Sequence, residues 1–150
     1  MKKIISALLV LTIIMSLSSA VFAADEIPIY YYMLKSVLEK SNDQNISSDI
    51  IYNNIDKTIE IYIGTTDEMT DLFCESLIKS NEEVTELWQQ VKDTYLNNNS
   101  LFYESRQQFN FNGDIITCFV KKLNKDHSYK DENIMLKIVN DKIVYDFLAE

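Results

Sequence analysis

The tightest constraint on the fold lies at the C-terminal end of the chain. Residues 133–139 and 142–148 are rich in β-branched and aromatic side chains and flank Asn140-Asp141, a dipeptide suited to the tight turn of a β-hairpin. With that turn as pivot, Ile134, Leu136, Ile138, Ile143, Tyr145 and Phe147 share one face. A hairpin alone is marginal in water, so this apolar face calls for further strands and a layer of helices over it.

The rest of the chain supplies both. Ile50 to Ile63 reads as two strands, 50–54 and 58–63, joined near Asp56-Lys57, with Ile50, Tyr52, Ile59, Ile61 and Ile63 on one face and Asn53, Thr58 and Glu60 on the other. Residues 114–123 form another strand. Helical spacing marks 28–41, where Pro28 suits the first turn and Tyr30, Met33, Leu34, Val37 and Leu38 form a stripe. Thr65-Thr66-Asp67-Glu68 has the form of a capping box opening a helix over 66–79, with Met69, Leu72, Phe73 and Leu77 as its stripe. Ser80-Asn81-Glu82-Glu83 repeats the device for 81–97, with the stripe Val84, Leu87, Trp88, Val91 and Tyr95, and Asn97-Asn98-Asn99 is expected to end it. Between Leu101 and Phe111, Asn112-Gly113 fits either a hairpin turn or the left-handed cap of a helix, and the propensities of Glu104 to Gln108 favour a helix over 101–109. The expectation is an α+β fold, a single antiparallel sheet of about five strands with the helices on its apolar face. Trp88 is expected to anchor that layer.

The chain has 150 residues, 47% of them hydrophobic, with two glycines and one proline, enough for one core and too little loop material for a linker-rich array. The first 23 residues stand apart. Lys2 and Lys3 precede an apolar run from Ile4 to Leu17, and Val21-Phe22-Ala23 places small residues where signal peptidase cleaves. The run is short for a membrane span, which needs about 20 apolar residues. Residues 1–23 therefore read as a signal peptide and 24–150 as a single α+β domain, secreted or, if the segment is not cleaved, held at the cell envelope. The formal charge is −9, and loss of Lys2 and Lys3 brings it to −11. Such a chain lacks the cationic footprint that nucleic acid or an anionic bilayer requires, so neither is expected as a partner, apart from the membrane contact of the signal peptide.

The Trp88 helix, the Gly113 stop, the loop Leu123-Asn124-Lys125-Asp126 and the ending Asn140 to Asp146 resemble small exported proteins of low-GC Gram-positive bacteria. The resemblance covers the C-terminal half and its motifs are structural. It implies export and an α+β architecture, with no activity attached.

Reactive chemistry is poorly provided for. His127 is the single histidine and sits in the polar connection Lys125 to Lys130; its neighbours Asp126 and Ser128 cannot form a triad with it, because consecutive side chains do not meet through directed hydrogen bonds. One histidine and two distant cysteines are too few for a zinc site. Residues 124–132 space oxygen ligands like the start of a calcium loop but lack its glycine and its closing glutamate. Glu82 and Glu83, or Asp67, Glu68 and Asp71, are carboxylate groups in first helical turns, where acids offset the helix dipole. Gly64 and Gly113 are too isolated to cradle a phosphate. No catalytic residue, cofactor or metal is expected, and the chain is read as a non-enzyme.

Two further features remain. Cys74 and Cys118 are the only thiols; if the Thr65 helix covers the strand face that carries Cys118, they can form a disulfide, and buried free thiols are the alternative. Tyr30-Tyr31-Tyr32 cannot all face inward on one helix, so Tyr31 and Tyr32 are the expected contacts for a protein or glycan partner, if they do not simply lie at the rim of the core. The expected function is a non-enzymatic binding or interaction module. The alternatives are a secreted inhibitor presenting Lys125 to Glu132 to an extracellular enzyme and, behind it, a carboxylate-based hydrolase.

Overall fold

A computed structural model describes residues 27–42, 46–65, 67–79, 82–121 and 133–149. Helix α1 (Ile29–Ser41) is followed by strands β1 (Ile46–Asn53) and β2 (Thr58–Thr65), helices α2 (Asp67–Ile78) and α3 (Glu82–Ser105), a 3-10 turn (Arg106–Phe109), and strands β3 (Asp114–Val120), β4 (Ile134–Val139) and β5 (Lys142–Asp146). The strands lie in chain order in one five-stranded sheet. Three of its four pairings are antiparallel. The β2–β3 pair is parallel, so the sheet is mixed where a purely antiparallel one was expected. The reason is the connection. A parallel neighbour requires a long crossover, and α2 with α3 provides it, returning the chain to the end of the sheet from which β2 set out.

All three helices pack on one face. Ile59, Ile61 and Ile63 of β2 and Ile115 and Phe119 of β3 meet Tyr30, Leu34 and Leu38 of α1, Leu77 of α2 and Trp88 of α3 in one buried cluster. The β1–β2 register, with Tyr52 opposite Ile59 and Ile50 opposite Ile61, is the one the alternation predicts. Tyr30 is fully buried, stacked on Phe111 and tilted against Phe109. Its hydroxyl donates to the carbonyl of Phe102 and lies 2.8 Å from Ser105 Oγ, and burial pushes its pKa up to about 12.

Helix α3 runs unbroken through Asn97-Asn98-Asn99, against expectation. Asn99 is completely buried, and its amide is used by the fold: Nδ2 donates to the carbonyls of Ile115 and Asn140, and Oδ1 accepts from Thr117 Oγ1 at 2.6 Å. Tertiary hydrogen bonds thereby outweigh the modest helix propensity of asparagine. Residues 101–105 continue this same helix, and the turn that ends it is capped by Asn110 at φ 54° in the left-handed region. Gly113 is not the cap. It is glycine because the backbone of the β1–β2 turn crosses it; a Cβ there would lie 1.6 Å from the Lys57 carbonyl oxygen.

Two β-bulges reorganise the C-terminal hairpin. Phe119 faces Leu136 while Val120 faces Ile134, which leaves Met135 as the extra residue; Lys137 faces Tyr145 while Ile138 faces Ile143, which leaves Val144 extra. Each insertion flips the alternation beyond it. Ile134 and Tyr145, expected on the helix-covered face, pack instead on the opposite face with Cys118 and Val120. Met135 turns inward and is fully buried. Asp146 now falls opposite Leu136, under α3.

Candidate functional site

The two C-terminal turns of α2 and the first half of α3 cover the sheet without closing on each other. Leu72, Phe73 and Ser76 on one side, and Val84, Leu87 and Val91 on the other, enclose a recess of about 440 Å³ floored by Thr65 and Phe119 at the ends of β2 and β3. On α3 the apolar positions recur at intervals of three and four residues, so they form one continuous wall. Behind that wall the structure is firmly held. Trp88 is 1% exposed, ringed by Phe73, Phe119 and Phe147 at 5.3 to 6.0 Å between ring centres, and donates from Nε1 to Asp146 Oδ1. Lys92 Nζ reaches Asp146 Oδ2 at 2.7 Å. Burial alone would raise the pKa of this carboxyl, but the hydrogen bonds from Lys92, the Leu148 amide and Trp88, together with the lysine charge, hold it below its ordinary value.

The recess is lined almost wholly by carbon. Its two hydroxyl-bearing residues are Thr65 and Ser76, and Ser76 turns its proton back onto the Leu72 carbonyl at 2.7 Å. Leu72 is 68% exposed and Leu87 48%. Both were expected in core stripes, and both stand at the lip with one flank in water. The surrounding helix surface is acidic: Asp71 and Glu75 on α2 and Glu82, Glu83 and Glu86 on α3 are exposed. Lys79, just past α2, is ion-paired with Glu75 at 3.6 Å. Of the described residues that line it, only Thr65 and Ser76 carry a polar side chain, so the lining is suited to aliphatic groups. Among the described residues no group of three or more His, Cys, Asp or Glu is arranged to hold a metal ion.

The expected site residues fall elsewhere. Cys74 lies on the helix-covered face with its Sγ 3.8 Å from Met135 Sδ, while Cys118 is buried on the opposite face beside Val120 and Tyr62, so the sheet separates the two and both are free thiols. The condition for a bond is not met: α2 packs on the side of Ile115 and Phe119, one residue out of phase with Cys118. Burial, offset in part by Lys121 and reinforced by Asp71, raises the Cys74 pKa, which keeps it a thiol at neutral pH. Tyr31 is half-buried, its hydroxyl donating to the Ile50 carbonyl at 3.3 Å, with Tyr32 edge-on to it and 54% exposed. Neither lines the recess. Thr65, read as a helix cap, is the last residue of β2. The signal segment, His127, the calcium-like stretch and the proposed inhibitory loop Lys125 to Glu132 lie outside the described residues. No described helix is long and apolar enough to cross a membrane.

Comparison of the chain with protein-family models, with curated proteins and with solved structures finds no significant match. Its function has to be read from the recess and the surface around it.

Proposed function

We propose that this protein is an exported, non-enzymatic binding module that accepts an apolar group of a partner between α2 and α3. One observation carries the reading: Leu72 and Leu87 are large aliphatic side chains left largely in water at the mouth of a recess that is itself apolar. Leaving such surface exposed forgoes the stabilisation that burial would bring, about 25 cal/mol for each Å². A partner that covers both leucines and fills the recess would recover that stabilisation. Export rests on Lys2, Lys3, the Ile4 to Leu17 run and Val21-Phe22-Ala23. Tyr32 offers a second, smaller contact on α1 suited to a ring or a sugar face.

The test uses the protein as an expressing bacterial host leaves it, with its N-terminus read by mass spectrometry; a chain that begins at Ala24 and is found in the medium supports export. Binding is then measured to cell-wall polymers, mucin glycans and proteins purified from the same culture. A partner lost on Leu72→Gln with Leu87→Gln supports the reading. Binding that survives this double substitution removes the recess from it.

A further inference from the structure

We infer that the partner seated between α2 and α3 is a cationic amphipathic α-helix of another protein, an inference that rests on the binding role just proposed. Both walls of the recess are helices, whose backbone amides and carbonyls are spent within the helices themselves. An extended peptide laid there would therefore find no edge to pair with, and a sugar would find almost no polar partner. A helix satisfies its own backbone and needs only a stripe of apolar side chains, which is what this lining can receive. Val84, Leu87 and Val91 present such a stripe at helical spacing, with Leu72 opposite.

Charge selects among helices. Glu75 lies three residues from Leu72, and Glu86 adjoins Leu87 in the chain; both are exposed. α2 carries four acids and no base, and the first base on α3, Lys92, is committed to Asp146. Lys79, just past α2, pairs with Glu75 in an exposed contact that costs little to exchange, and Lys121, two residues beyond Phe119, is a second described cation close enough to act on Cys74 of α2. An incoming helix with Lys or Arg beside its apolar stripe thus meets carboxylates on both walls. An anionic bilayer would be repelled by a chain of formal charge −9.

The probe is a fluorescein-labelled Leu/Lys peptide of about 18 residues with leucines at helical spacing. Its anisotropy is followed on titration with the protein as the host leaves it. Two peptides serve as comparisons, one of the same composition with the spacing scrambled and one with Glu replacing every Lys. The expected result is at least tenfold tighter binding of the Leu/Lys helix than of either. Leu72→Gln with Leu87→Gln should weaken it about tenfold or more, and Glu75→Lys with Glu86→Lys several-fold with a shallower salt dependence. These positions are exposed, and an unchanged urea midpoint for each variant shows that the fold is kept. Equal binding of the scrambled or the acidic peptide, or binding untouched by the leucine substitutions, overturns the inference. A concentration-dependent dimer that the leucine substitutions abolish also overturns it, in favour of a second copy as occupant. A culture protein whose binding needs Leu72 and Leu87 but is not displaced by the Leu/Lys peptide overturns the helix class while leaving the binding role in place.

Discussion

Trp88 Nε1 donates to Asp146 Oδ1 at 3.1 Å, and this bond fastens the first half of α3 to the last residue of β5. The indole is wedged between Phe73 from α2, Phe119 from β3 and Phe147 beyond β5, so four parts of the chain meet on one ring system. Trp88→Ala is expected to cost about 3 to 5 kcal/mol, a large part of the margin of a domain this size. Trp88→Phe keeps much of the packing but strands one acceptor lobe of the carboxylate, and should cost about 1 to 3 kcal/mol. Urea unfolding measures both. A Trp88→Ala midpoint equal to that of the parent, with red-shifted native emission in the parent, would refute the buried anchor.

The same carboxylate sets an acid limit on stability. Asp146 has a folded pKa below its unfolded value, which is about 3.9, so its contribution is complete above the unfolded pKa and drains away as pH falls through the folded one. The stability difference between the parent and Asp146→Asn should therefore hold steady from about pH 7 to pH 5 and shrink below about pH 4. Lys92→Met should remove part of the same pH-dependent component, because Lys92 is the first of the groups that lower this pKa. Chemical unfolding across that range decides the point, and a gap that stays constant down to pH 3 would show that Asp146 is not the group concerned.

Much of this frame is legible in the residues. Alternation in Ile50 to Ile63 gives the β1–β2 register directly, because that hairpin has no bulge and its period of two survives intact. The C-terminal hairpin is recognised from its turn and its β-prone residues and misassigned in part, since an inserted residue reverses every side chain after it; Met135 and Val144 do this, and the one trace they leave is that both are apolar where a regular alternation would be polar. That is also why the Trp88–Asp146 bond cannot be anticipated: a bulge-free hairpin opposes Tyr145, not Asp146, to Leu136. Asn97 to Asn99 reads as a helix end by propensity, and only the partners of Asn99, in β3 and the β4–β5 turn 16 or more residues away, reverse it. The recess was hidden for a different reason. Leu72 and Leu87 have the same spacing as buried neighbours, and periodicity reports which face a residue is on but not whether two helices close over it.

Asn99 gives the third prediction. Its amide joins α3 to the start of β3 and to the β4–β5 turn, where Asn140, at φ 57°, also accepts from the Ile115 amide through Oδ1 at 2.9 Å. Asn99→Ala removes a donor from the Asn140 carbonyl and the acceptor of the Thr117 hydroxyl, leaves the Ile115 carbonyl with only the Asn140 amide, and opens a small cavity, for an expected loss of about 2 to 4 kcal/mol. Thr117→Val leaves Asn99 Oδ1 unpaired in a buried site and should cost about 1 to 3 kcal/mol. The two losses are expected to be non-additive by about 1 kcal/mol or more, since the second substitution removes a bond the first has already broken. A double-mutant cycle in urea reads this, and strict additivity would mean that the two side chains do not act together.

Gly113 tests the close crossing of the β1–β2 turn. A Cβ at this position would lie 1.6 Å from the Lys57 carbonyl oxygen and 2.8 Å from its carbon, and these are backbone atoms that cannot swing aside. Gly113→Ala should cost about 3 kcal/mol or more, where alanine for glycine at an unstrained position is commonly stabilising. A midpoint that rises, or does not move, would show that the turn and the start of β3 are not in contact.

The thiols provide a test that needs no substitution. Cys74 is half-buried on the helix-covered face and Cys118 buried on the other, so native protein held in air should keep both as thiols and show no loss of two mass units on intact mass analysis. Alkylation under native conditions should be slow at both positions, at Cys118 because it is 1% exposed and at Cys74 because burial keeps its thiolate fraction low. After unfolding in urea both should label at once. An intramolecular bond between the two cysteines would require Cys118 in the same strand phase as Ile115 and Phe119, and the helix-covered face would have to be reassigned; burst labelling of Cys118 in the native state would refute its burial beside Val120 and Tyr62.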